Sequence, residues 1–274
     1  MDVELDLRKN ASLNAQERYE KAKKAVEKIK GAQEALKETE KKLEERSRIV
    51  ETKGEKGIRK RDLKEKKWYE KFRWFESSEG FLVVGGRDAV TNEILIKKHV
   101  EKNDLVFHAD VHGAPFFVVK NPGNKEIPED TLRETAEAAA SYSSSWKRGL
   151  GSCDVYQVSP EQVSKKAESG EYLPRGGFMI RGSKNWFKGM ELKIAVGLTI
   201  GEDATVIGGP ESAVATKTRY FIEIGVGDLK PKELALEIKK RILQKTNKED
   251  GLKVKKVSID EIQKFIPSGQ GAVL

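Results

Sequence analysis

The chain has 274 residues, 35% of them charged, and a formal net charge of +8 from 52 Lys and Arg against 44 Asp and Glu. That length supports one or two domains with a proper core, and a charged share above the usual quarter demands extensive solvated surface, such as a long helix offers. The single cysteine, Cys153, excludes an intrachain disulfide and a cysteine-built zinc site, and no apolar run reaches the roughly 18 residues of a spanning helix. The start, Met1-Asp-Val-Glu-Leu-Asp, lacks the basic and apolar parts of a secretory signal, so a cytoplasmic protein without a membrane partner is expected. The basic balance favours a polyanion such as nucleic acid, although dense mixed charge also serves stability alone.

Residues 14–50 contain one breaker, Gly31. Tyr19, Ala22, Val26, Ile29, Leu36, Leu43 and Val50 fall on a three-four spacing. This predicts a helix with a thin apolar stripe that needs a partner, capped at its start by Ser12 or Asn14. After Thr52–Gly57 a second helix is predicted from Ile58 to Phe75. It is rich in Lys and Arg, and Trp68, Phe72 and Phe75 line one face. Docking of that aromatic face onto the next domain is the plain reading, and base stacking is the alternative.

From Gly80 the composition turns to short apolar runs. Phe81–Val84 reads as a buried strand, and residues 88–99 as either helix or strand. Leu105–Val111 alternates, with Val106, His108, Asp110 and His112 on one face. Phe116–Val119 is apolar on both faces, as in an interior strand. A helix is expected over 129–146, started by Pro128 and stopped by Gly149, then strands at 153–158, 178–181, 192–200 and 219–226. Pro231 opens a helix to about Lys245. Leu252–Val257 reads as a strand, Ser258–Phe265 as a capped helix, and Pro267–Gly271 as a frayed end.

Three places could carry chemistry. His108, Asp110 and His112 are all metal-ligand types at alternate strand positions. A metal-dependent hydrolase or nuclease must therefore be weighed against a structural polar cluster and against a surface gripping RNA. Gly85-Gly86-Arg87-Asp88 follows a strand, and its backbone N–H groups could cradle a phosphate clamped by Arg87; an Arg–Asp pair closing a tight turn is equally open. Lys165-Lys166, the glycine-rich run to Arg175, and Arg181-Gly-Ser-Lys184-Asn-Trp186 have the cations and rings of a loop following a nucleic-acid backbone, or of an ordinary solvated loop. No nucleophile motif is present.

Six signatures together carry a family likeness: Trp74-Phe75-x-x-Ser78-Glu79-Gly80, Gly85-Gly86-Arg87-Asp88, Asn92-Glu93, His108-Ala-Asp-x-His-Gly113, Gly170-Glu-Tyr-Leu173 and Phe178-Met-Ile-Arg-Gly182. Over about Lys67 to Leu198 the chain resembles the NFACT-R domain of the NEMF/RqcH family of ribosome quality-control proteins. Val3–Leu7 and the helix after it resemble that family's middle region, where the chain enters the second arm of a coiled coil. The resemblance implies a non-catalytic adaptor that binds the large ribosomal subunit carrying stalled peptidyl-tRNA. Such an adaptor recruits tRNA, commonly alanyl-tRNA, so that the nascent chain is tailed without a template. The family's N-terminal domain, helix-hairpin-helix region and first coiled-coil arm have no counterpart here, so a C-terminal fragment or split product, of archaeal type, is expected.

The resulting expectation is an α+β protein: a coiled-coil arm over 1–57, an NFACT-R RNA-binding domain over 58–226, and a small α/β extension over 227–274. Expected partners are the large ribosomal subunit, tRNA, and an N-terminal half or second copy of the chain through the coiled coil. Expected RNA contacts are Arg59, Lys60, Arg61, Arg87, Lys97, Lys98, His108, Asp110, His112, Lys165, Lys166, Arg175, Arg181, Lys184 and Trp186. No cofactor, metal or catalytic residue is expected.

Overall fold

The computed structural model describes residues 9–53, 67–165 and 176–274. The chain divides into two units, residues 1–65 and 66–274. The first contains one long helix, α1 (Ala11–Lys53). Its N-terminus is capped by Asn10, whose side-chain oxygen accepts the Leu13 N–H at 2.9 Å. Asn14, a predicted cap, instead lies inside the helix and donates back to the carbonyls of Lys9 and Asn10. Over its described side chains the apolar stripe is uncovered: Tyr19, Val26, Ile29 and Leu36 are all exposed.

The second unit begins with a single 3₁₀ turn, Trp68–Lys71, and an antiparallel hairpin of β1 (Arg73–Glu76) and β2 (Leu82–Gly85). The helix predicted to run to Phe75 therefore does not form over its described part. Phe75 pairs with Val83 across the hairpin, and the Ser77–Gly80 turn with its left-handed Gly80 (φ 82°) makes that pairing local. The aromatic residues still dock: Phe72 and Phe75 are buried, on opposite faces of the sheet.

Residues 88–99 resolve as helix, α2 (Ala89–His99), because Asp88 caps it through a reciprocal pair with Thr91. Then come β3 (Leu105–Ala109), β4 (Phe116–Val119), α3 (Glu129–Ser141), α4 (Ser144–Lys147) and β5 (Ser152–Val158). The helix predicted over 129–146 is broken at Tyr142, since the Ser143 side chain caps a new helix by accepting the Ser145 N–H. A two-stranded ribbon of β6 (Val163–Ser164) and β7 (Met179–Ile180) precedes β8 (Asn185–Glu191).

The last part holds β9 (Lys193–Ile200), β10 (Ala204–Gly209), α5 (Glu211–Ala215), β11 (Phe221–Leu229), α6 (Pro231–Lys245), α7 (Lys248–Lys256), α8 (Ile259–Gln263) and β12 (Gly271–Val273). Two expectations fail here. Residues 252–256 are helical, because Asn247 accepts the Asp250 N–H at 2.8 Å and starts α7, and Val257 follows as its extended C-cap. The stretch expected to fray is held: the Gln270 carbonyl accepts the Trp146 indole N–H, and Gly271 opens β12, which pairs with β11.

Besides the β6–β7 ribbon, two larger antiparallel sheets form, ordered β1-β2-β4-β3-β5-β8 and β10-β9-β11-β12. Helix α3 lies between them. It packs on β3, β4, β5 and β8 and also on β9. Its buried residues are small, Ala136, Ala138, Ala139 and Ala140 among them, so both sheets can approach its backbone. One core fills this layer with Phe75, Phe107, Phe117, Ile194, Val196, Ile224 and Ile238. The other face of the six-stranded sheet carries a second core of Phe72, Val84, Leu95, Val106, Phe116 and Val118 under α2. The α+β class holds, with antiparallel sheets throughout.

Candidate nucleic-acid interface

The alternation in β3 places Phe107 and Ala109 toward α3, and Val106 and His108 toward α2. His108 sits opposite Phe116 on one side and Tyr156 on the other, and Tyr156 sits opposite Trp186. A row of four rings thus crosses β4, β3, β5 and β8. At its edge Trp186 is 38% exposed. Lys184 Nζ lies 4.0 Å from the Tyr156 ring centre, and Lys188 Nζ 4.0 Å from that of Trp186.

His108 is tied at both nitrogens. Nε2 is 3.2 Å from the Ala114 carbonyl, and Nδ1 is 3.3 Å from the Tyr156 hydroxyl. A carbonyl only accepts, so Nε2 carries the proton and Nδ1 receives the tyrosine O–H. Burial pushes the His108 pKa down to about 4, against the opposing pull of the Ala114 carbonyl and Asp110. The ring is neutral at physiological pH.

The strand ends at Ala109, where the Val111 N–H turns back onto the Ala109 carbonyl. Asp110 and His112 therefore do not continue the His108 face, as their alternate spacing had predicted. Both are exposed in the turn that Gly113 (φ 80°) closes. The metal-hydrolase alternative finds no support: the His108 lone pair is taken by Tyr156, and among the described residues no three His, Cys, Asp or Glu side chains form a cluster able to hold an ion. Cys153 is half-buried and its thiol is pushed up by burial, opposite to an activated nucleophile.

The Gly85-Gly86-Arg87-Asp88 turn sits beside this row. Its N–H groups do not form the phosphate cradle that the motif allowed. Gly86 N–H bonds the Phe116 carbonyl, Arg87 and Asp88 N–H groups bond the Thr91 hydroxyl, and Asp88 receives the Thr91 N–H. That last bond holds the Asp88 carboxyl below its usual range. Arg87 does not pair with Asp88 either, because its guanidinium donates to the Phe72 carbonyl at 3.0 Å. Gly86 must be glycine, since a Cβ there would lie 1.8 Å from Asn92 Oδ1, the buried atom that accepts the Phe116 N–H.

A cavity of about 630 Å³ opens between these parts. Arg87, His108 and His112 line it, as do Phe178, from the last of the family signatures, and Arg73, Tyr142, Lys147 and Tyr156, which the sequence reading did not place at a site. Only the lopsided charge of residues 58–75 signalled Arg73. Gly176 (φ 80°) packs against Ala89 and brings Phe178 to the cavity edge.

The remaining predicted contacts scatter. Lys97 and Lys98 occupy the far, C-terminal end of α2, where they oppose the helix dipole and Lys97 pairs with Glu93. Lys165 pairs with Glu93 and lies over Phe178. Arg181 is exposed on the β6–β7 ribbon, which is held by Gln162 through the Arg181 and Ser183 carbonyls. Lys184 and Trp186 join the ring row. Arg59, Lys60, Arg61, Lys166 and Arg175, and the Gly170–Leu173 motif, lie outside the described residues.

Residues 71–182 match the family described as the NFACT protein RNA binding domain. The chain carries an NFACT-R domain. It is 54% identical over 200 residues to the archaeal Rqc2 homolog aRqcH of Methanocaldococcus jannaschii, covering 72% of this chain and 30% of that protein. It is 47% identical over 119 residues to the human ribosome quality control complex subunit NEMF, covering 43% of this chain and 11% of that one. The budding-yeast ribosome quality control complex subunit 2 is 26% identical over 114 residues, 42% of this chain and 11% of that one. The chain is thus homologous to the RqcH and NEMF proteins and spans less than a third of the length of these relatives. Of the structural features above, the ring row up to Tyr156, the Arg87 turn and the His108 turn lie inside the NFACT-R match. Trp186 and Lys188 lie just beyond it.

Proposed function

We propose that this chain is the RNA-gripping part of a ribosome quality-control factor, acting on the large ribosomal subunit and its tRNA and leaving bond-making to the ribosome. The observation that carries this reading is the ring row of the NFACT-R sheet, which ends in an exposed Trp186 flanked by two lysines beside an arginine-lined cavity. Rings give sequence-tolerant stacking, and the lysines and arginines give phosphate contacts. The likeness to aRqcH and NEMF supports the ribosomal context, and with it the expected cytoplasmic setting. Among the described residues no helix is long and apolar enough to cross a membrane.

Helix α1 fits the family's coiled-coil arm. Its exposed Tyr19, Val26, Ile29 and Leu36 form a seam for a second helix, from an N-terminal half or another copy. Arg59, Lys60, Arg61, Lys166 and Arg175 remain proposed phosphate contacts by charge alone, with Arg87, Lys97, Lys98, Lys165, Arg181 and Lys184. His108, Asp110 and His112 shape the adjoining turn.

Titration of purified large subunits and of tRNA at two salt concentrations tests the reading. Neutralising Arg87, Lys165, Arg181 and Lys184 together is expected to weaken binding about equally for all RNA sequences and to flatten the salt dependence. Binding that is unchanged by the four substitutions would reject this surface.

A further inference from the structure

Arg73 has no counter-ion among the described residues. It lies on β1 with its Nε buried and without a hydrogen-bond partner, and its one close interaction among the described residues is with the Tyr142 ring, 4.2 Å from the guanidinium carbon. Tyr142 offers no charge, since its hydroxyl donates to the Phe265 carbonyl at 2.7 Å and burial pushes its pKa up to about 12. The charged side chain that bears on Arg73 is another cation, Arg87. A half-buried guanidinium beside a like charge is costly unless an anion joins it.

Both arginines line the 630 Å³ cavity, with Lys147, which has no ion pair among the described residues. One carboxylate, Asp88, also lines it, and that group is spent capping α2. Three cations against one carboxylate leave an excess of two positive charges. An internal phosphodiester brings a single negative charge, whereas a phosphate monoester brings about −1.5 to −2 at neutral pH. The planar forks of two arginines suit such a group. Among the small residues of the remaining wall stand the rings of Phe116, Tyr142, Tyr156 and the half-buried Phe178, which suit a base or ribose more than a peptide side chain.

We propose that the Arg73–Arg87–Lys147 cavity receives the terminal phosphate monoester of an RNA strand, with the last nucleotide unpaired against its aromatic wall. This rests on the RNA-binding reading and adds that the domain distinguishes a phosphorylated chain end from internal backbone.

The test uses the full chain and a short single-stranded RNA made in three forms: with a 5′-phosphate, with a 3′-phosphate, and with hydroxyls at both ends. One phosphorylated form is expected to bind about tenfold tighter than the hydroxyl form, and which form it is names the chain end. Arg87→Gln combined with Lys147→Gln, both exposed positions, is expected to bring that ratio close to one. In the unmutated protein the Arg73 guanidinium NMR signal should move with the phosphorylated RNA and stay with the hydroxyl RNA. Adenosine monophosphate that binds more tightly than the phosphorylated RNA would make the ligand a free nucleotide and overturn the chain-end assignment. A phosphoserine peptide that binds as tightly would overturn nucleotide recognition. Equal affinity for all three RNA forms would overturn the inference while leaving general RNA binding intact. Failure to bind any RNA at low salt would overturn the RNA-binding reading and this inference with it.

Discussion

Tyr156 donates its hydroxyl to Nδ1 of His108 across the β3–β5 pair, at 3.3 Å. This fixes the imidazole tautomer and turns Nε2–H onto the Ala114 carbonyl, so a neutral histidine pins the turn that carries Asp110, His112 and Gly113. Protonating Nδ1 would turn the tyrosine hydroxyl from donor to acceptor and place a positive charge where burial disfavours it.

That arrangement makes stability acid-sensitive. The unfolded imidazole titrates near 6.5 and the folded one near 4. The unfolded chain therefore binds the extra proton between those values, and stability falls as pH drops from 6.5 toward 4. The full loss is about 3 kcal/mol, from 1.36 kcal/mol per unit. Urea unfolding at several pH values should show the native chain losing more stability than His108→Gln as the pH falls through this interval, a difference in which the other titrating groups cancel. Identical slopes would mean that His108 is not the titrating group.

Gly86→Ala should cost about 2–4 kcal/mol. The new Cβ would meet Asn92 Oδ1 at 1.8 Å, and moving Asn92 strands the buried Phe116 N–H it now satisfies. Gly31→Ala, in α1 with nothing near its Cβ, should not destabilise the chain and gives the control. Thermal melts of the two variants against the parent check the contrast.

The sheet was legible wherever a strand alternates or is wholly apolar, as in β3, β4 and β9. It was illegible where the partner decides. Lys188 and Gly189 are poor strand residues, yet β8 forms because β5 offers a free edge and Asp154 takes the Gly189 N–H and Lys188. Residues 72–76 carry helix-like aromatic spacing, and the β2 pairing overrides it. Over 252–257 the apolar spacing suggested a strand, while the Asn247 cap set the helix α7. At the site, spacing along β3 found His108 but could not show that the strand stops at Ala109. The cavity escaped because Arg73, Arg87 and Lys147 come from β1, the β2–α2 turn and α4, far apart in sequence.

Glu137 on α3 gives a second pH signature with the opposite sign. Burial raises its pKa to about 7, opposed by Lys193 and reinforced by Glu223, Glu134 and Glu191. The unfolded carboxyl ionises near 4.5, so the folded state holds the proton longer. Stability from this group is greatest below 4.5, falls through the interval to 7, and stays low above it. Glu137→Gln should therefore stabilise the chain above pH 7 by about 1–3 kcal/mol, discounted for partial solvent contact, and change little near pH 4. Melting curves at the two pH extremes decide it; equal shifts at both would point to a packing effect.

Trp186 and its two lysines should divide the work of RNA binding in a way that salt can separate. Trp186 stands on the edge strand with one ring edge against Tyr156, while Lys184 and Lys188 lie over the two rings, and Lys188 also pairs with Asp154. Stacking a base on Trp186 must displace a lysine from the indole, and the freed ammonium then meets the adjoining phosphate. Trp186→Ala should weaken single-stranded RNA binding by about 1–3 kcal/mol at every salt concentration. Lys184→Gln should reduce the slope of log affinity against log salt by about 0.7. Lys188→Gln should reduce it less, because Asp154 already holds that charge. Titrations of one unstructured RNA across a salt series measure both quantities. A Trp186→Ala variant that changes only the slope would show that the ring positions the lysines and meets no base.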